Sequence, residues 1–226
     1  MTKNLDAGLL DGSSTSNYSY AWSFNGTVIV GATNYTLTVN NAGLYTVTVT
    51  NNQGCSRTRT ITVTASDIAK ITNVNIVDLS ESNSISVTLT GLGDYVYSLD
   101  EENGAYQTEN VFNNVSAGIH TVFVKDLNGC GITPKEVAVL GIPNFFTPND
   151  DGYNDYWNIK GVNASFNANT IIYIFDRYGK LVKQINPLNQ GWDGKFNGQQ
   201  MPATDYWYSI QLEDSRVVKG HFSLKR

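Results

Sequence analysis

The chain is poor in the groups on which most chemistry depends. It has two cysteines and two histidines among 226 residues, and neither a Gly-x-Ser-x-Gly elbow nor a phosphate-binding glycine loop occurs. Catalysis needs convergent polar groups, so an enzyme is the weakest class and no catalytic residue is assigned. No apolar run approaches the roughly 20 residues of a membrane helix, and no segment keeps a helical period, which leaves strands and turns. Basic side chains form no stripe dense enough for nucleic acid: residues 1–141 carry 6 basic and 12 acidic groups, residues 142–226 carry 9 and 8. No apolar h-region follows Met1-Thr-Lys-Asn-Leu5, so no signal peptide opens the chain. The expectation is a cytoplasmic protein or, as the repeat below argues, a fragment of a longer one that lacks its leader.

What is present is β-forming. Tyr, Thr and Val favour strands, and Asn and Gly favour turns. Tyr18, Tyr20, Trp22 and Phe24 alternate with small residues as a half-buried strand does. Tyr20-Ala-Trp-Ser-Phe-Asn25 recurs as Tyr95-Val-Tyr-Ser-Leu-Asp100. Ala42-Gly-Leu-Tyr-Thr-Val-Thr-Val49 recurs as Ala117-Gly-Ile-His-Thr-Val-Phe-Val124, and Gly54-Cys55 as Gly129-Cys130. All three matches have one offset, 75 residues, the mark of a tandem array. Short strands between turns predict an immunoglobulin-like sandwich for each copy, over residues 1–66 and 67–140. The second copy has strand-like runs at Ile71–Leu79 and Ile85–Leu89; the first has only Leu5–Leu10 in that place and reads as cut short or as supplied with a degenerate first strand. Cys55 and Cys130 occupy equivalent points of successive units, beyond the roughly 7 Å Cα reach of a disulfide, so no bond between them is expected. His120 stands where the first copy has Tyr45, which points to packing.

From residue 141 to 226 the character changes. Ile171–Phe175 is apolar on both faces, as in a central strand covered on both sides. Asp176-Arg-Tyr-Gly-Lys180 predicts a hairpin turn with Gly179 at its positive-φ corner. Gly191-Trp-Asp-Gly194 and Asn197-Gly198 predict two more turns, while Tyr206–Leu212 and Val217–Leu224 predict two further strands. The segment Asn149-Asp-Asp-Gly-Tyr-Asn-Asp155 admits two readings. Its oxygen-bearing side chains around Gly152 have the density of a Ca²⁺ loop, with Asn149, Asp151, Asn154 and Asp155 as ligands, although the spacing is not that of an EF-hand. The same residues can cap their own backbone in a tight turn. Tyr153, Tyr156, Trp157, Trp192 and Tyr206–Tyr208 could platform a sugar if Trp157 and Trp207 were exposed together; alternation assigns most of them to core.

Two resemblances follow from these residues. Tyr20-x-Trp22-x-x-Asn25-Gly26 and the Gly-x-Tyr-Thr-Val-x-Val-x-Asn-x-x-Gly-Cys run ending at Cys55 resemble the immunoglobulin-like or PKD-like modules of large bacterial surface adhesins. The ordered set Phe146-Thr-Pro-Asn149, Asp151-Gly-x-Asn-Asp155, Ile174-Phe-Asp-Arg-Tyr-Gly179, Trp192-Asp-Gly194, Asn197-Gly198, Pro202-Ala203 and Tyr206-x-Tyr208 resembles the gliding-motility-associated C-terminal domain, or type B sorting domain, of the type IX secretion system. Thr204 departs from it, standing where many members have glycine. Together they resemble the end of a SprB-type gliding adhesin. The resemblance implies an all-β chain: tandem Ig-like sandwiches, then a C-terminal β-sandwich sorting domain. It implies a surface protein of a Bacteroidetes-type bacterium, exported after periplasmic transit through translocon components and a PorP-like outer-membrane partner. Recognition is then expected at exposed turns: Asn149, Asp151, Asn154 and Asp155 in one, Arg177, Tyr178 and Lys180 in the next, Trp192 and Asp193 in the third, with Lys225 and Arg226 at the end. No cofactor is required beyond the possible Ca²⁺.

Overall fold

The computed structural model describes residues 2–9 and 14–226 and, among them, contains strands, one 3-10 turn at Thr15–Asn17 and no α-helix. The chain divides into two compact units, Met1–Asp67 and Ile68–Arg226. The second copy and the terminal region share one unit.

The first unit contains β1 (Lys3–Asp6), β2 (Tyr18–Phe24), β3 (Thr27–Val28), β4 (Thr36–Val39), β5 (Gly43–Asn51) and β6 (Ser56–Val63). Strand β1 pairs with β4, and β3-β2-β5-β6 form the facing sheet. The period-2 alternation of β2 and β5 turns Tyr20, Trp22, Tyr45 and Val47 inward onto Leu5 and Val39. The indole N–H of Trp22 donates to the Asn34 carbonyl at 3.0 Å, so the one polar group of this buried ring is satisfied. Of the expected Leu5–Leu10 piece, Leu10 lies outside the described residues, and the strand ends at Asp6.

The second copy contains β7 (Lys70–Val77), β8 (Ser84–Thr90), β9 (Tyr95–Leu99), β10 (Val111–Asn113), β11 (Gly118–Asp126) and β12 (Ile132–Val139). Its sheets run β10-β8-β7 and β12-β11-β9 and enclose Ile85, Val87, Val122, Val124 and Val139. The 75-residue offset is structural, since β9, β11 and β12 repeat the pairing of β2, β5 and β6. Strand β1 pairs with β4 as β8 pairs with β10, and among the described residues no strand lies outside β1 as β7 lies outside β8. The expected Ile71–Leu79 run breaks at a bulge after Ile71 and ends at Val77. Cys55 and Cys130 are both thiols, in turns built alike: their N–H groups donate to the side chains of Asn51 at 2.9 Å and Asp126 at 3.0 Å.

The terminal region contains β13 (Phe145–Phe146), β14 (Ile171–Phe175), β15 (Leu181–Ile185), β16 (Lys195–Phe196), β17 (Gln199–Gln200), β18 (Asp205–Gln211) and β19 (Val217–Leu224). The main sheet runs β13-β19-β18-β14-β15, parallel only between β13 and β19. Its inner face presents Ile172, Ile174, Tyr206, Ile210 and Phe222. The second layer is thin, a β16–β17 ribbon with irregular chain. That chain is fixed by a bridge in which Trp157 and Trp192 exchange N–H···O bonds of 2.9 Å in both directions. Trp157 stacks on Phe222 with centroids 3.9 Å apart, and Trp192 meets Tyr206 edge-on at 4.8 Å, geometries that add to burial. Strand β14 is central, but only Ile172 and Ile174 are covered; Tyr173 and Phe175 are half-buried on the outer face, which corrects the expectation of cover on both sides.

Candidate functional site: one pole of the terminal sheet

Register fixes which ends of the strands lie together. Ile171 faces Gln211, which faces Val217, whereas Phe175 faces Trp207 and Asp205 faces Ser223. The Asp176–Lys180 turn, the Pro202–Thr204 approach to β18 and the chain end after Leu224 therefore share one pole. At about 3.3 Å per residue, the seven-residue β18 separates it from the other pole by about 20 Å.

Three turns and the chain end build this pole. Asp176 Oδ1 accepts the N–H groups of Tyr178 at 2.9 Å and Lys180 at 3.0 Å, while Gly179 takes φ +77°. The hairpin is the expected one, and it pushes Tyr178 into solvent, 86% exposed. Arg177 donates to the Thr204 hydroxyl at 2.6 Å. The residue that departs from the family pattern thus ties two turns together, and no φ there demands glycine. Lys180 Nζ lies 4.8 Å from the centroid of the Phe196 ring, within cation–π reach. Asp193 accepts the Lys195 N–H at 3.1 Å. Lys225 Nζ lies 4.4 Å above the Phe145 ring, and the Arg226 guanidinium caps the carbonyls of Met201 and Gly194. Gly194 adopts φ +75°, and a Cβ there would come within 2.9 Å of Leu224 and 3.2 Å of Pro148, which puts the start of the Asn149–Asp155 loop beside the same pole.

That loop is organised around one carboxylate. Asp155 accepts N–H groups from Asn149 at 3.0 Å, Asp150 at 2.6 Å and Gly152 at 2.7 Å. Asp150, Gly152 and Asn154 all have positive φ, which turns successive amides inward. Desolvation, the largest single influence, raises the Asp155 pKa, but the N–H groups of Gly152, Asp150, Asn149 and Asp151 together outweigh it and hold the carboxyl below its ordinary value. Asp151 accepts from Tyr153 N–H and from the Asn149 amide, both at 2.8 Å. A Ca²⁺ site needs these oxygens to converge on one point. In this loop both carboxylates face donors of the loop itself. The geometry is that of the self-capped turn.

Of the residues expected to meet a partner, Arg177, Tyr178, Lys180, Lys225 and Arg226 are exposed at or next to this pole, and Asp193 is half-buried there. Trp192 is not a contact: it is 0% exposed and its indole N–H donates to the Lys195 carbonyl. Trp157 is equally buried, donating to the Pro143 carbonyl, so it forms no exposed strip with Trp207. Sequence reasoning missed the row that exists, in which register aligns His221, Trp207, Phe175 and Leu181 across the outer face. Alternation against Tyr206 and Ile210 could have identified it.

The fold and pole define a β-domain that carries its signature turns, fixed by backbone caps, at one end. Residues 140–224 match the CHU_C family model, described as a type IX secretion signal domain. The C-terminal region is therefore one targeted to type IX secretion, which implies contact with the secretion machinery and export to the cell surface. No curated protein matches the chain. Among solved structures, the amphioxus IgVJ-C2 molecule is 13% identical with a TM-score of 0.35, over 61% of this chain and 95% of that one. Sidekick-1 immunoglobulin domains 1–5 are 14% identical, TM-score 0.35, over 93% of this chain and 52% of that one. PorZ, a bacterial surface component of the type IX secretion system of Porphyromonas gingivalis, is 13% identical, TM-score 0.31, over 84% of this chain and 29% of that one. Likeness of this depth does not carry function. Among the described residues no helix is long and apolar enough to cross a membrane.

Proposed function

We propose that the terminal domain is a non-catalytic export signal, read at its turn-bearing pole by a PorP-like outer-membrane partner of the translocon. The repeats are then passenger or spacer modules of a gliding adhesin of the SprB type, from a Bacteroidetes-type bacterium. The observation that carries this reading is the gathering of Arg177, Lys180, Lys195, Lys225 and Arg226 with exposed Tyr178 at one pole, on turns locked by Asp176 and Asp193. Fixed cations and an aromatic suit an acidic surface met at long range. The test fuses a periplasm-targeted reporter to the whole chain and substitutes Arg177→Glu, Lys180→Glu and Lys225→Glu together. The expected result is a variant with unchanged melting temperature that stays in the periplasm. Full export of the folded variant would overturn the pole as the recognised surface.

A second reading rests on the outer face. Trp207 is 42% exposed, lies 6.4 Å from the His221 ring at a 40° tilt and has Phe175 beside it, an aromatic row against which a sugar can stack. Soluble glycans would then quench tryptophan fluorescence in the parent chain and not in Trp207→Ala; equal signals from both would dismiss this reading.

A further inference from the structure

The opposite pole of the terminal sheet meets the second repeat within the same compact unit. Neighbouring residues there belong to different cores: Val139 packs with Val122 and Val124 of the repeat, while Leu140, 2% exposed, packs with the terminal core. Leu79, just past β7, also packs against the terminal core. Its N–H donates to the Leu140 carbonyl at 3.3 Å. Leu79 holds φ +53°, a left-handed conformation that a branched, bulky residue adopts only where its surroundings impose it. Leu79, Leu140 and Ile142 line an apolar seam with Ile210, Leu212 and Val218.

Backbone meets backbone at the same place. Gly141 and Lys160 exchange N–H···O bonds of 3.3 and 2.8 Å. A Cβ at Gly161 would lie 2.4 Å from the Val139 carbonyl oxygen, and one at Gly141 2.1 Å from the Ala117 side chain. Polar contacts close the seam: Arg216 donates to both oxygens of Asp78 at 2.7 and 3.3 Å and to Asp214 at 2.6 Å. The Asp78 side chain is only 8% exposed and that of Arg216 47%, so the pair is two-pronged and shielded on its carboxylate side alone.

We propose that this opposite pole of the terminal domain is a docking surface for the Asp-Leu corner of the preceding β-repeat, and that Asp78, Leu79, Leu140, Gly141 and Arg216 latch the two into one folding unit. Asp78, Leu79 and Ala117 lie outside the residues matched by the family model, so the latch is a property of this pair of domains. It does not depend on the export reading.

The test is hydrogen exchange and thermal unfolding of the whole 226-residue chain. In the parent, residues 68–139 and 140–226 lose protection together in one transition. Arg216→Gln should speed exchange at Gly141, Lys160 and Val218 by about tenfold, the factor that loss of a charged hydrogen bond brings, and more than it does in β15. Leu79→Gly removes the left-handed strain. Without a packing role it would raise the melting temperature; the latch requires instead that it lower it and split the transition. Gly161→Ala, which forces the seam open, should act like Leu79→Gly. Separate unfolding of the two halves in the parent, unchanged exchange in Arg216→Gln, or a more stable Leu79→Gly would each overturn the proposal.

Discussion

The two copies 75 residues apart share one strand frame and differ in what they put at its corners. In the first, the Tyr45 hydroxyl donates to the Asn41 carbonyl at 3.0 Å, while Asn25, at φ +47°, accepts the Leu44 N–H at 2.9 Å. In the second, His120 replaces the tyrosine: one ring nitrogen faces the Ser116 carbonyl at 2.8 Å, the other the Asp100 carboxylate at 2.7 Å. Asp100 holds φ +65° and accepts the Thr121 N–H. The chain thus returns to the backbone four residues upstream in both copies, with neutral groups in one and ionisable groups in the other. The outer faces diverge further. Thr46 and Thr50 of β5 meet Ser23 at 2.7 Å and Ser56 at 2.9 Å in a hydroxyl-rich face. In the second copy Lys125 takes the place of Thr50 and lies under the Tyr106 ring. Inward positions are constrained by volume and sheet pairing; corners and outer faces answer to local partners, and the copies have parted there.

The largest way to break the comparison is in the first core. Trp22→Ala should cost about 3–5 kcal/mol, since the ring is buried between both sheets and its N–H is bonded. The loss should unfold residues 1–67 and leave the melting of residues 68–226 in place, read by exchange; a joint collapse would mean that the two units are not separately stable. At the corners the expected costs are smaller and unequal. His120→Ala should cost about 2 kcal/mol, because a buried ring and two hydrogen bonds go together, whereas Tyr45→Phe forfeits one hydrogen bond, about 1 kcal/mol. Equal effects would show that the His120 ring and its Asp100 contact together add nothing beyond one hydrogen bond.

Local pattern made some of this legible. Three gapless matches disclosed the repeat, and the alternation in Tyr206–Leu212 and the glycine of Asp176–Lys180 disclosed strand and hairpin, because each is written within a few adjacent residues. Trp192 was misjudged as a contact: like Trp157 it lies in irregular chain, where no period assigns a face, and its burial comes from a bridge between distant segments. Arg216 and Asp78 are 138 residues apart, and Leu79 reads as the end of an apolar strand until its φ is known. The latch is therefore invisible to periodicity. The ligand-dense loop offered two readings because oxygen-rich side chains serve cations and backbone amides alike; only the direction of the N–H groups separates them.

The smallest effects belong to that loop, and they contrast a charged cap with the neutral one at Asn51, which accepts the N–H groups of Gln53 and Cys55. Because the Asp155 carboxyl is held below its ordinary value in the fold, the unfolded chain binds its proton more readily. Its contribution to stability is present above the unfolded value, near pH 4, and is lost as pH falls through the lower folded value. The melting temperature should therefore fall more steeply below about pH 4 in the parent than in Asp155→Asn, whereas Asn51→Ala should leave the acid slope as it is. Calcium should do least of all. A ligand that binds the folded state raises the melting temperature by mass action, but a cation at Asp155 would compete with three amide N–H groups that already bond to both carboxylate oxygens. Excess Ca²⁺ and excess chelator should therefore give superimposable melts at neutral pH. A calcium-dependent rise, abolished by Asp155→Asn, would mean that the loop rearranges around the ion, and the self-capped turn would then be its empty form.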